Sequence, residues 1–106
     1  MADFEELGRT ALRNRLLGRW AAEKLGKAGA EADAYAESLA AMAAENGDVF
    51  GRVRRDFDAA GVAETDGSIA QALTDLTVKA GRLLSTSVGG ASDAAAFALM
   101  RNLTSR

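Results

Sequence analysis

Apolar residues recur at three- and four-residue intervals along most of this chain, the spacing that gives a helix one buried face. The most regular stripe runs from Ile69 to Leu83. Glycines separate such stretches and proline is absent, so we expect an all-α chain whose helices end at glycine. The pattern predicts helices over residues 3–25, 30–44 and 49–60, and a fourth that continues to about residue 84.

Local signals mark the ends of these helices. Gly26 and Gly61 are placed to end the first and third helices, Asp48 to cap the third, and either Thr65 or Asp66 to cap the fourth. From residue 85 the sequence STSVGGAS predicts a flexible break, and a weaker helical pattern covers residues 92–103. The expected fold is a four-helix bundle over residues 1–84, followed by a tail over residues 85–106 that could add a short fifth helix.

The first predicted helix is apolar on more than one side. On a helical wheel, Leu12, Leu16 and Trp20 form one row. Gly18 lies in a second apolar arc, where its missing side chain would let another helix approach closely. We interpret both rows as core, because apolar stripes are usually buried. The second arc also contains Leu7, Leu17, Ala21 and Leu25.

An alternative interpretation makes the tryptophan row a binding surface. Arg13 and Lys24 flank Trp20, and cations beside an indole ring suit a protein helix or the ring of a nucleotide. This hypothesis predicts a small helical binding module in which Arg13, Trp20 and Lys24 hold an adenine nucleotide weakly.

The composition argues against catalysis and metal binding. The 106 residues include no cysteine and no histidine, which removes thiolate ligands, the commonest metal ligand and the usual general base. Carboxylates in the second predicted helix lack the spacing of a calcium loop. We therefore expect no enzyme, no metal and no cofactor.

The charges argue against nucleic acid and membrane as partners. The net charge is −2, and Arg52, Arg54 and Arg55 have aspartates close by in sequence, which predicts a self-neutralising helix face. No apolar run is long enough for a membrane span, and the first residues do not resemble a signal peptide, so we expect a cytoplasmic protein. Residues 1–27 carry more basic than acidic side chains and residues 28–60 the reverse, which predicts weak attraction between two helix faces. Within the first helix, Arg19 is spaced to pair with Glu23.

Three segments carry a family resemblance: RNRLLGRWAAEKLG, AEADAYAES and GDVFGRVRRDFDAAGV. Together they resemble the small four-helix family that contains the zeta subunit, the ATPase inhibitor of alphaproteobacterial F-type ATP synthases. The resemblance covers residues 11–84 and is strongest up to Val62. The tail from residue 85 has no counterpart in it.

The resemblance implies a regulator that binds the catalytic subunits of an F-type ATP synthase beside the rotor shaft. An N-terminal helical segment would enter the catalytic interface and block ATP hydrolysis, while the four-helix domain stays outside. Here only ten residues precede Ala11, and as a helix they span about 15 Å. This length limits how deeply the segment could reach into the catalytic interface. The partner-binding residues implied are Asp3, Phe4, Glu5, Glu6, Leu7, Arg9 and Arg13.

Overall fold

The computed structural model describes residues 4–88, and the side chains of residues 5–85. Across this range the chain forms four helices and no strand, which confirms the prediction of an all-α four-helix fold. The helix predicted over residues 92–103 lies outside the described residues. The helices are α1 (Phe4–Lys24), α2 (Gly29–Ala41), α3 (Val49–Ala60) and α4 (Asp66–Val88), with a 3₁₀ turn (Met42–Glu45) after α2.

Glycine ends α1 and α3, as the sequence predicts. Gly26 and Gly61 have φ angles of 79° and 71°, in the left-handed region that residues with a β-carbon rarely adopt. After Gly61, the N–H of Val62 donates to the carbonyl of Phe57 at 2.9 Å, which satisfies a carbonyl that the helix leaves open.

Side-chain caps begin α3 and α4. Asp48 Oδ1 accepts a hydrogen bond from the N–H of Gly51 at 2.9 Å. Thr65 Oγ1 accepts one from the N–H of Ser68 at 3.0 Å, so Thr65, rather than Asp66, is the cap of α4.

Two predicted helix boundaries were wrong. The α-helical part of α2 ends at Ala41 rather than near residue 44, because the chain tightens into the 3₁₀ turn before Asn46 adopts a left-handed conformation with φ 54°. α4 continues past Ser85 to Val88. Serine and threonine cost a helix only tenths of a kcal/mol each, so they do not end it; the first glycine pair comes after Val88.

α1 and α2 form an antiparallel pair held at close range. Two ion pairs join them: Arg15 Nε lies 2.6 Å from Glu37 Oε2, and Arg19 Nη2 lies 3.0 Å from Asp33 Oδ1. Between these pairs, a β-carbon added to Gly18 would lie 2.6 Å from the Cα of Ala36. The predicted close approach at Gly18 is confirmed, and its partner is α2.

All four helices contribute to one core. Trp20 is partly buried and packs against it, with its ring centroid 5.8 Å from that of Phe57. The interpretation of Trp20 as a packing residue is therefore confirmed, although the side chain keeps some exposure. The buried core cluster consists of Leu17, Ala21, Leu39, Val49, Val53, Phe57 and Ile69.

Candidate partner-binding surface

The first turns of α1 form an exposed helical segment. Every side chain from Glu5 to Arg9 is exposed, and Leu7, at 37% exposure, is one of two large apolar residues classed as exposed among the described side chains. Glu5 and Glu6 lie in the first turn, where the positive end of the helix dipole favours carboxylates. The segment thus presents acidic, apolar and basic groups on a regular helix.

The other residues proposed for partner binding lie at the two ends of this segment. Asp3 lies outside the described residues, and Phe4 is where α1 begins. Arg13 is partly buried, and its guanidinium donates two hydrogen bonds to Asn14 Oδ1, from Nε at 3.1 Å and from Nη2 at 2.8 Å. Arg13 therefore belongs to the packed part of α1, whereas Arg9 belongs to the exposed part.

The tryptophan surface is already occupied by side chains of this chain. The Nζ of Lys24 lies 5.8 Å from the Trp20 ring centroid and 3.4 Å from Glu64 Oε2. The pKa of Glu64 is lowered, chiefly by a hydrogen bond from Ser68 and further by Lys24. Arg13 lies seven residues before Trp20, which is about 10 Å along the helix axis.

The predicted attraction between basic and acidic helices takes a specific form. Arg19 pairs with Asp33 on α2 rather than with Glu23 on its own helix, because the antiparallel packing brings the α2 carboxylates within reach. The hydrogen bond from Arg15 holds the pKa of Glu37 below its usual value. Both pairs are largely solvated, and exposed pairs contribute about 0.2–1 kcal/mol each.

A polar cluster ties α3 to α2. The hydroxyl of Tyr35 donates to Asp56 Oδ2 at 2.7 Å, and the same oxygen accepts from Arg52 Nε at 2.8 Å. The Arg52 guanidinium lies 5.2 Å from the Tyr35 ring centroid. Burial and the hydrogen bond to Asp56 raise the pKa of Tyr35. Sequence spacing could not predict the contact of Tyr35, because Tyr35 and Asp56 are 21 residues apart in the chain.

Arg54 also forms hydrogen bonds with acidic and backbone groups of the same chain. It donates to Asp58 one turn later, to Asp66 at the start of α4, and to the backbone carbonyl of Glu64. The predicted self-neutralising face of α3 is confirmed for Arg52 and Arg54. Asp48 caps the helix and does not serve as an ion-pair partner of Arg52.

One residue in α1 escaped the sequence analysis. Asn14 is 1% exposed, and its Nδ2 has no hydrogen-bond partner. It lies three, four and seven residues before Leu17, Gly18 and Ala21, so the helical wheel places it in the middle of the buried face. A polar residue at that phase was the signal that could have identified it.

Comparison with protein families identifies the chain. The model of the family described as ATPase inhibitor subunit zeta matches residues 4–82, which is most of the sequence. The chain belongs to this family. Comparisons with curated proteins and with solved structures found no significant match.

The match covers α1, α2 and α3 in full and α4 as far as residue 82. The family description is that of an inhibitor, hence of a regulator rather than a catalyst. Within residues 4–88, no three acidic side chains form a group that could hold a metal ion. In the same part of the chain, none of the helices combines the length and apolar character needed to cross a bilayer.

Proposed function

We propose that this protein binds the catalytic head of an F-type ATP synthase and restrains ATP hydrolysis, with the N-terminal part of α1 as the contact segment. Membership of the ATPase inhibitor subunit zeta family is the observation that carries the proposal. The catalytic subunits beside the rotor shaft are the proposed site of contact.

The layout of α1 supports a division between contact segment and packed domain. Side chains from Glu5 to Arg9 are exposed, whereas the fully buried side chains of α1 begin at Asn14. Substitutions in the exposed part can therefore change binding with little effect on folding, since surface side chains contribute little to stability. Leu7 is the strongest candidate for a contact, because its exposed 37% is apolar surface that a partner could bury.

The test adds the purified full-length chain to the isolated catalytic head and measures binding and ATP hydrolysis on the same samples. We expect binding in the micromolar range or tighter and a fall in hydrolysis as the complex forms. Absence of binding at micromolar concentration would refute the proposed partner. Binding without a change in hydrolysis would refute inhibition but would support the proposed partner.

Two matched variants locate the contact. Leu7→Asp places a charge on the exposed segment of α1, and Val78→Asp does the same at the other exposed large apolar side chain, on α4, where Val78 is 54% exposed. We expect Leu7→Asp to weaken binding at least tenfold and Val78→Asp to leave it unchanged. Equal effects of the two substitutions, or none from Leu7→Asp, would exclude the N-terminal part of α1 as the contact.

The tryptophan row remains the basis of a second hypothesis. A nucleotide held by Arg13, Trp20 and Lys24 would have to displace Lys24 from its position between the Trp20 ring and Glu64. Titration of the single tryptophan's fluorescence with ADP and ATP tests this binding. An unchanged signal up to millimolar nucleotide would refute stacking on Trp20.

A further inference from the structure

A cleft of about 390 Å³ lies where the turn after α1 meets α2 and α3. Its walls come from that turn, from Tyr35 on α2, and from side chains along α3. Pockets for small ligands in proteins measure about 300–1,000 Å³, so this cleft is at the small end of that range. Its size suits a small molecule rather than a helix of another protein.

The end of α1 places a lysine at this cleft. After Gly26 turns the chain with its positive φ, the N–H of Lys27 donates to the carbonyl of Ala22 at 2.9 Å. This bond is part of the usual glycine ending of a helix, and it fixes the backbone of Lys27. The Nζ of Lys27 then lies 5.8 Å from the ring centroid of Tyr35.

The positive charge of Lys27 is not neutralised by the fold. Its side chain is partly buried, yet among the residues that the structure describes its ammonium forms no ion pair. The other cation of the cleft differs, because Arg52 donates to Asp56 and, from Nη2, to Ser38 Oγ at 3.3 Å. With two cations and one carboxylate, the lining has a net charge of about +1 and attracts anions.

Two further features of the lining narrow the kind of anion. The carboxylate of Asp56 repels negative charge, which disfavours phosphate and other anions with more than one charge. Apolar groups of Leu25, Ala59 and Ala60 offer contact that a small inorganic ion would not use. A ligand with one carboxylate and a short apolar body matches both features.

We propose that this cleft binds a small monocarboxylate whose carboxylate pairs with Lys27 and whose apolar body lies against Leu25, Ala59 and Ala60. The cleft shares no residue with the exposed segment from Glu5 to Arg9. Binding here is therefore a property of the free protein and does not depend on contact with an ATP synthase.

NMR titration of the free full-length chain with 3-phenylpropionate, at constant ionic strength, tests the proposal. We expect saturable shifts of the backbone amides of residues 25–27 and 52–60, with a dissociation constant of about a millimolar for a ligand of this size. Shifts that do not saturate, or that spread over the whole chain, would refute a defined site. So would the absence of shifts at these amides up to about ten millimolar.

Three other probes separate the contributions of charge and apolar body in the native chain. The neutral amide 3-phenylpropionamide lacks the charge, acetate lacks the apolar body, and inorganic phosphate lacks the apolar body and carries more charge. We expect each to bind about tenfold more weakly than 3-phenylpropionate or worse. Equal binding of the amide would refute the pairing with Lys27. Equal binding of acetate or phosphate would show a general attraction for anions and would refute the proposed ligand class.

The variant Lys27→Gln removes the charge and keeps much of the side-chain stem. Binding of 3-phenylpropionate should weaken about tenfold, the low end for a charge-assisted hydrogen bond in a partly exposed position. Lys79→Gln is the matched control, since Lys79 is exposed on α4 and its loss changes the net charge equally. Equal weakening by both variants, or none by Lys27→Gln, would refute the role of Lys27. The probe comparison on the native chain decides the ligand class even if Lys27→Gln loses its fold.

Discussion

Gly18 is the point at which one added carbon should separate α1 from α2. A β-carbon there would lie 2.6 Å from the Cα of Ala36 and 3.3 Å from its Cβ. The obstacle is backbone rather than the end of a flexible side chain, so the helices must move apart. Gly18→Ala therefore tests the closest contact in the fold.

Two opposing effects set the size of the change. Overpacking costs about 1–3 kcal/mol, and contact with backbone places Gly18→Ala near the upper end of that range. Against this, alanine favours the helix by about 1 kcal/mol relative to glycine. The net destabilisation is about 2 kcal/mol, which corresponds to a fall in Tm of about 10 °C for a domain of this size.

Gly8 provides a control in the same helix. A β-carbon at Gly8 meets nothing within 4 Å, so Gly8→Ala should keep only the propensity gain, a stabilisation of about 0.5–1 kcal/mol. Urea denaturation followed by far-ultraviolet circular dichroism and by Trp20 fluorescence measures both variants. If Gly18→Ala is as stable as the native chain or more stable, the close contact between α1 and α2 is wrong.

Three further predictions follow from the packing of the aromatic residues and from the layout of α1. Trp20→Ala should lower the free energy of unfolding by about 2–3 kcal/mol, because Trp20 packs on Phe57 but keeps some exposure. Truncation of a fully buried aromatic side chain would cost more, ~3–5 kcal/mol. A loss below about 1 kcal/mol in urea denaturation would show that Trp20 is a surface residue. Tyr35, the only tyrosine, has a raised pKa, so the absorbance of the folded protein near 295 nm should not rise at pH 10. The stability that Tyr35 contributes should be fully present below about pH 10 and decline at higher pH. Ionisation of Tyr35 near pH 10 in the folded state would contradict its hydrogen bond to Asp56. Deletion of residues 1–8 should change Tm by less than about 5 °C, since the side chains described there are exposed; a larger fall in a thermal melt would show that the segment is part of the packed domain.

Local chemistry was enough to predict most of the helix ends. Gly26 and Gly61 end helices because the left-handed conformation they adopt is available to glycine at no steric cost, and Asp48 begins α3 because its carboxylate reaches a free N–H three residues later. Such interactions lie within one turn and are readable from neighbouring residues. The errors at residues 42–45 and 85–88 arose where the same residue types are compatible with more than one local conformation.

Contacts between residues far apart in the sequence were harder to predict. The sequence placed Arg19 within reach of Glu23, but the packing of α2 supplied Asp33, and nothing local linked Tyr35 to Asp56. For the candidate site, the family resemblance indicated the N-terminal part of α1. The match to the family model supports membership of the family but does not test that site. Which side chains of that segment are exposed could not be read from the pattern, since Leu7 shares its phase with the buried face.

Residue identity and spacing within single segments were enough to predict an all-α chain, its breaks, the phase of its apolar faces and its family resemblance. Only the packed structure shows which helix meets Gly18 and which carboxylates pair with the arginines. These depend on distances between segments far apart in the chain. The burial of Asn14, and the lack of a hydrogen-bond partner for its Nδ2 among the described residues, likewise follow from the packing of the helices.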